Sequence, residues 1–236
     1  MTTTSLNELV LIPGLNNTHA VFDSVVKALP ASVQALAVDN PAIDTVEGIA
    51  QALLPTLPER FWLAGFSFGG YVALAMLEAA PQRVQGIALL CTSPFADGPE
   101  AIARRRTSLE KVEQGGYFNL IQSQAALAFH PDSLSNAALM AEREEMVRAY
   151  GAQRYLAHVR ATIARPDRSV LLDGRRPTLV LAASHDKAFS VDTLWRYADR
   201  IPGVQKALIN DAGHMAPMEK PIQVATALAR WMQTPA

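Results

Sequence analysis

The run FWLAGFSFGG at residues 61–70 restricts what this chain can build more than any other stretch. An apolar segment ends in Ser67, with glycine at 65, 69 and 70 and a phenylalanine on each side of the serine. A strand needs no such glycines, and a helix is weakened by them. The pattern predicts a strand that bends sharply into a helix, crowded at the glycines, with the Ser67 hydroxyl pushed out of the sheet edge. The alanine-rich segment that follows, Tyr71–Ala79, has the composition of that helix.

Other short runs rich in Val, Ile and Leu supply the neighbouring strands. They are Leu9–Ile12, Val33–Val38, Gly86–Leu90, Thr178–Ala182 and Val204–Ile209, with Phe61–Phe66 third in chain order. Amphipathic stretches lie between most of them, including Ala20–Leu29 and Val46–Leu54. Pro221 suits the first turn of a last helix whose apolar face carries Ile222, Val224, Ala225, Leu228, Trp231 and Met232. Alternation of this kind predicts an α/β fold, a mostly parallel sheet of about six strands with helices on both faces. Residues 94–168 contain no strand-like run, only helical sequence punctuated at Gly115-Gly116, His130-Pro131 and Arg165-Pro166. The expected organisation is a core of residues 1–93 and 169–236, with a helical lid at 94–168 over the carboxyl edge of the strands, where ligands of such sheets bind.

Composition narrows the partners. Half the residues are hydrophobic and 18% are charged, which suits a buried core. A net charge of −1 gives no field for nucleic acid or an anionic membrane. The single cysteine, Cys91, excludes an intramolecular disulfide and fits a reducing compartment. The opening MTTTSLNELVLIPG has no basic leader and only a four-residue apolar run, so a cytoplasmic protein is expected. No metal cluster or phosphate loop is visible, no cofactor is called for, and the oligomeric state is left open.

A serine hydroxyl is a weak nucleophile at neutral pH and needs a base, itself oriented by a third group. Of five histidines, His214 lies in NDAGHMAPMEKP, between the sixth strand and the last helix, on the same rim as Ser67. His130 and His158 fall in the helical lid, His19 begins the first helix, and His185 adjoins a candidate for another role. The orienting acid should leave the same edge, and Asp186 in TLVLAASHDKAF does so. Asp97 is a rival, Asp211 is too near His214 in sequence to reach the far side of its ring, and Asp192 belongs to a helix start. The oxyanion donors expected are the backbone amides of Phe68 and of Leu15 in IPGLNNTH, with Asn16 the second choice for the latter because Pro13 has no N–H. Phe66, Phe95 and Asn16 are expected to touch substrate, and at most one or two of Arg104–Arg106 can face a pocket.

GFSFGG, AASHD and DAGHMAPMEKP, in the order Ser–Asp–His, resemble the nucleophile elbow, acid loop and histidine loop of the α/β-hydrolase superfamily. The resemblance runs from Leu9 to Met232, and residues 94–168 resemble the family's helical cap. Within it the chain is similar to small esterases of the pimeloyl-carrier-protein methyl ester type and to the menaquinone-pathway synthase on the same core. Pro13-Gly14 stands where many members carry His-Gly, and the family's usual first two strands have no counterpart before Leu9. The resemblance therefore implies strand order 2-1-3-4-5-6 and hydrolysis of a small-molecule ester or thioester by Ser67, His214 and Asp186. C–C cleavage or elimination on the same residues, and a receptor-like binding role, remain as alternatives.

Overall fold

The structure is a computed structural model that describes residues 7–234. Six parallel strands form one sheet in the order β2-β1-β3-β4-β5-β6: β1 (Asn7–Ile12), β2 (Val33–Ala37), β3 (Phe61–Phe66), β4 (Val84–Leu90), β5 (Thr178–Ala183) and β6 (Gln205–Ile209). This is the order expected. Every residue of β3 and β5 is buried, whereas β2 and β6, at the sheet edges, alternate between half-buried and exposed positions, with only Ile209 at the end of β6 fully buried. Continuous apolar runs belong to central parallel strands because both of their faces are covered.

Strand parity divides the core. Leu63 and Phe61 of β3, with Val10 and Ile12 of β1, face α2 (Val46–Leu53), α3 (Phe68–Ala79) and α9 (Val191–Ala198). Trp62, Ala64 and Phe66, with Leu9 and Leu11, face α1 (Asp23–Ala28) and α11 (Pro221–Trp231), the latter preceded by the single-turn α10 (Ala216–Glu219). The indoles of Trp62 and Trp231 meet edge to face on that second side, centroids 4.8 Å apart. The expected first helix over Ala20–Leu29 is shorter: His19–Phe22 is a 3-10 turn, and α-helix begins at Asp23.

Between β4 and β5 lie α4 (Pro99–Glu113), α5 (Tyr117–Ser123), α6 (Ala125–Ala128), α7 (Pro131–Leu134) and α8 (Ala137–Ala164). They carry their own apolar cluster, formed by Val112, Tyr117, Ile121, Val147, Tyr150, Tyr155 and Val159. Gly151 interrupts α8 at φ 79° and ψ 161°, so its two halves are separate helices joined at one residue. No helix among the described residues is long and apolar enough to cross a membrane.

Candidate active site

β3 lies next to β1, at the point where the strand order reverses, and Ser67 sits at its carboxyl end. Its backbone is at φ 51° and ψ −118°, a conformation that side-chain-bearing residues rarely adopt. The flanking glycines make that bend fit. A Cβ at Gly69 would lie 2.1 Å from the Ile12 carbonyl oxygen, and one at Gly65 would lie 2.4 Å from the Gly69 oxygen. Helix α3 thus starts pressed against β1, with Ser67 at its head.

Two loops meet Ser67 there. His214 Nδ1 lies 2.8 Å from Asp186 Oδ2, and its Nε2 lies 2.9 Å from Ser67 Oγ. The carboxylate only accepts, so Nδ1 carries the proton and donates it; Nε2 is left to accept from the serine hydroxyl. The Asp186 side chain is fully buried, and its Oδ1 accepts from the amides of Ala188 at 2.7 Å and Phe189 at 3.0 Å. Both oxygens are therefore committed, and the ring of His214 is held in one orientation. The histidine loop is tied to the helical segment as well. Glu219 accepts from Gly213 N at 2.8 Å and from His130 N at 2.7 Å, while Met215 N donates to Ala128 O at 3.0 Å.

Beneath the acid loop lies Cys91, buried, with φ 49° and its amide donating to Leu181 O at 2.8 Å. Burial, reinforced by the neighbouring Asp186 carboxylate, pushes its thiol well above the ordinary range.

Ser67 and His214 open into a cavity of about 260 Å³. Leu15, Asn16, Phe68 and Phe189 line it from the core, and Arg105, Ile121, Gln124, Arg143 and Val147 from the helical segment. The loop after β1 is braced by Asn40 Nδ2, which donates to Pro13 O at 3.0 Å, and by Asn17 Nδ2, which donates to Leu15 O at 2.7 Å. Among the hydrogen bonds of the described residues, the amide of Leu15 has no acceptor. The amide of Phe68, first in α3, is one of those a helix start leaves without an intrahelical partner.

Residues 7–221 match the family model described as the alpha/beta hydrolase fold. The chain belongs to that family. Among curated hydrolase-fold relatives, the pimeloyl-[acyl-carrier protein] methyl ester esterase of Aromatoleum aromaticum is 28% identical over 235 residues, covering 88% of this chain and 90% of its own. The enzyme of the same name from Nitrosomonas europaea is 31% identical over 95 residues, a local match covering 37% of this chain and 38% of that protein. A thermophilic esterase from Thermogutta terrifontis superposes with a TM-score of 0.89 at 25% identity, over 96% of this chain and 89% of that one.

The other titratable candidates lie elsewhere in this hydrolase fold. Asp97 accepts from Arg105 Nε at 2.5 Å and from Arg165 Nη2 at 2.8 Å. Burial raises its pKa, but these hydrogen bonds outweigh burial and leave it below the usual carboxylate range. His158 is buried; its Nε2 donates to Pro41 O at 2.7 Å and its Nδ1 accepts from the Tyr150 hydroxyl. Burial first, with Arg154 adding to it, pushes its pKa down to about 4. His19 pairs with Asp39, His130 caps α7, and His185 bonds Ser184 Oγ at 2.8 Å. The Asp211 amide bonds Ser184 Oγ, and Asp192 sits in the first turn of α9.

Two residues expected to touch substrate lie outside the lining of this cavity, although the Phe66 ring packs on that of His214 with centroids 5.2 Å apart. Phe66 does not line the cavity: strand parity turns it onto the α1 and α11 side, where it meets Phe22 edge to face at 6.5 Å. Phe95 does not line it either, because its ring packs on Tyr197 at 5.8 Å, and Tyr197 OH pins that loop by donating to Thr92 O at 2.9 Å. Asn16 does line the cavity, at φ 63°, and its Oδ1 accepts from Tyr117 OH at 3.2 Å. Of the three consecutive arginines, Arg105 lines the cavity, while Arg104 and Arg106 are exposed. Sequence reasoning missed Arg143, Gln124, Tyr71 and Phe189, although Phe189, three residues beyond the acid, stacks on His214 at 6.0 Å.

Proposed function

We propose that the chain is a carboxylic ester hydrolase in which Ser67, His214 and Asp186 form the catalytic triad. The observation that carries this reading is the unbroken line Ser67–His214–Asp186, with contacts of 2.9 and 2.8 Å. Ser67 Oγ attacks the ester carbonyl carbon as His214 Nε2 takes its proton, and the imidazolium is stabilised by Asp186. The amides of Phe68 and Leu15 receive the oxyanion. Collapse releases the alcohol, protonated by His214, and leaves an acyl group on Ser67. Water, activated by the same imidazole, then frees the acid.

Similarity to proteins named as esterases supports the reaction class. Residues 94–168 act as the cap of this enzyme, since five of the cavity-lining residues named above come from that segment. A cavity of about 260 Å³ is below the ~300–1,000 Å³ of drug-sized ligand sites and favours short acyl groups or small aryl esters. Cytoplasmic location belongs to the same reading, supported by a single free cysteine.

The test is labelling with a fluorophosphonate, followed by a panel of short p-nitrophenyl esters. Wild-type protein is expected to label and to hydrolyse the panel, and Ser67→Ala to do neither while keeping its melting temperature within a few degrees. Equal turnover by the two proteins would overturn the assignment.

A further inference from the structure

Arg143 is the buried cation in the cavity that the ester mechanism does not use. It sits in the first half of α8, is 6% exposed, and lines the same cavity as Ser67 and His214. Its guanidinium is fixed by two neutral acceptors: Nη1 donates to Gln122 Oε1 at 2.7 Å and Nη2 to Ile121 O at 2.5 Å. The ring of Phe129 lies on one side, with the guanidinium carbon 5.9 Å from its centroid. Among the described residues no carboxylate is in ion-pairing contact with it, although the other buried arginines are differently served: Arg165 has Asp97, and Arg168 has Glu47 and Glu78.

A guanidinium keeps its charge in proteins, and a buried charge without a counter-ion is costly. Two of its five N–H groups are engaged, which leaves donors in a fixed fork for a planar anion. Arg105, the cavity's other cation, has Asp97 at 2.5 Å, a carboxylate it shares with Arg165. The Arg143 charge, held rigidly by neutral acceptors in a small cavity with the nucleophile, selects for a negative charge on the substrate.

We infer that the ester carries a free carboxylate remote from the scissile bond, and that Arg143 binds it. This deepens the ester-hydrolase reading and rests on it. The preferred substrates are half-esters of short dicarboxylic acids.

Monomethyl glutarate and methyl pentanoate, which share a five-carbon acyl chain and differ in its far end, test this directly. Wild-type kcat/KM is expected to favour the half-ester by about tenfold or more, since charge-assisted hydrogen bonds are the strong ones. In Arg143→Met that ratio is expected to fall towards one, with Arg143→Lys intermediate. Arg148→Gln, at an exposed position on the same helix, should keep the wild-type ratio. If Arg143→Met fails to fold by circular dichroism, the wild-type ratio and competitive inhibition by glutarate but not by neutral glutaramide decide the matter. Equal kcat/KM for the two esters in the wild type, or an unchanged ratio in folded Arg143→Met, would overturn the proposal. The two readings fail separately. Without fluorophosphonate labelling or ester turnover the hydrolase assignment falls, yet glutarate raising the melting temperature of wild type and not of Arg143→Met would still establish the anion site.

Discussion

The rings of Phe68 and His158 are stacked, with centroids 4.7 Å apart and planes inclined by 20°. This contact joins the turn that carries Ser67 to the second half of α8. Through His158 Nε2 and Pro41 O it also reaches the loop after β2. The residue whose amide is proposed to hold the oxyanion is therefore backed by an imidazole that must stay neutral.

That neutrality has a consequence for acid stability. His158 titrates near 4 when folded, against 6.5 for a free imidazole. Between these values the unfolded chain binds the extra proton, so stability is full above about 6.5 and falls as pH drops towards 4. The contribution lost is on the order of 3 kcal/mol. Urea midpoints measured from pH 7 to pH 4.5 should fall steeply for wild type and less steeply for His158→Gln. Parallel curves would show that another group controls the acid limb.

Asp186→Asn keeps the shape of the acid loop but replaces the acceptor at His214 Nδ1 with a group that can donate. The imidazole is then free to present Nε2–H to Ser67, the wrong tautomer for a base. A loss in kcat of roughly 10³–10⁴ is expected, with the fold retained. On the proposed mechanism the base starts neutral, so wild-type kcat/KM should decline on acidification with a one-proton slope. A steady-state pH profile of both proteins measures this.

Gly69→Ala places a methyl 2.1 Å from a backbone oxygen of β1, where nothing flexible can give way. Destabilisation of about 3 kcal/mol or more, or failure to fold, is the expected outcome. Gly98→Ser is the comparison: the space around Gly98 is open, and serine suits the position before α4. Its melting temperature should stay close to that of wild type.

Asp97→Ala leaves Arg165, whose side chain is 4% exposed, as an unpaired buried charge over the ring of Tyr71. Breaking such a pair from one side costs about 3–5 kcal/mol. Asp97 is itself 10% exposed, so solvent does little to soften the loss. Replacing both partners together, as Asp97→Leu with Arg165→Met, should recover much of it in a double-mutant cycle of unfolding free energies.

The parts of the fold legible in the sequence were those fixed by short-range pattern. Central strands such as Phe61–Phe66 and Thr178–Ala183 are buried on both faces and so appear as unbroken apolar runs. The serine turn was legible because crowding at Gly65 and Gly69 tolerates no side chain. Helix α3 begins at Phe68 rather than at Tyr71, because tertiary contact with β1 holds two glycines in a first turn that propensity disfavours. Side-chain direction was less legible. Phe66 and Phe68 flank the same serine, yet one ends a strand facing α11 and the other starts a helix facing the cavity. Arg143 lies in EREEMVRAY, which reads as a solvated helix face; it is buried by α5, whose Ile121 and Gln122 are distant in sequence.

Cys91 has a practical corollary. The chain's lone sulfhydryl is sealed under the loop that carries Asp186, and it resists ionisation there. Native protein should therefore be silent towards thiol-specific dyes, and the onset of colour would report the moment this loop lifts. The molecule carries its own gauge of opening at this loop, with no probe to be engineered.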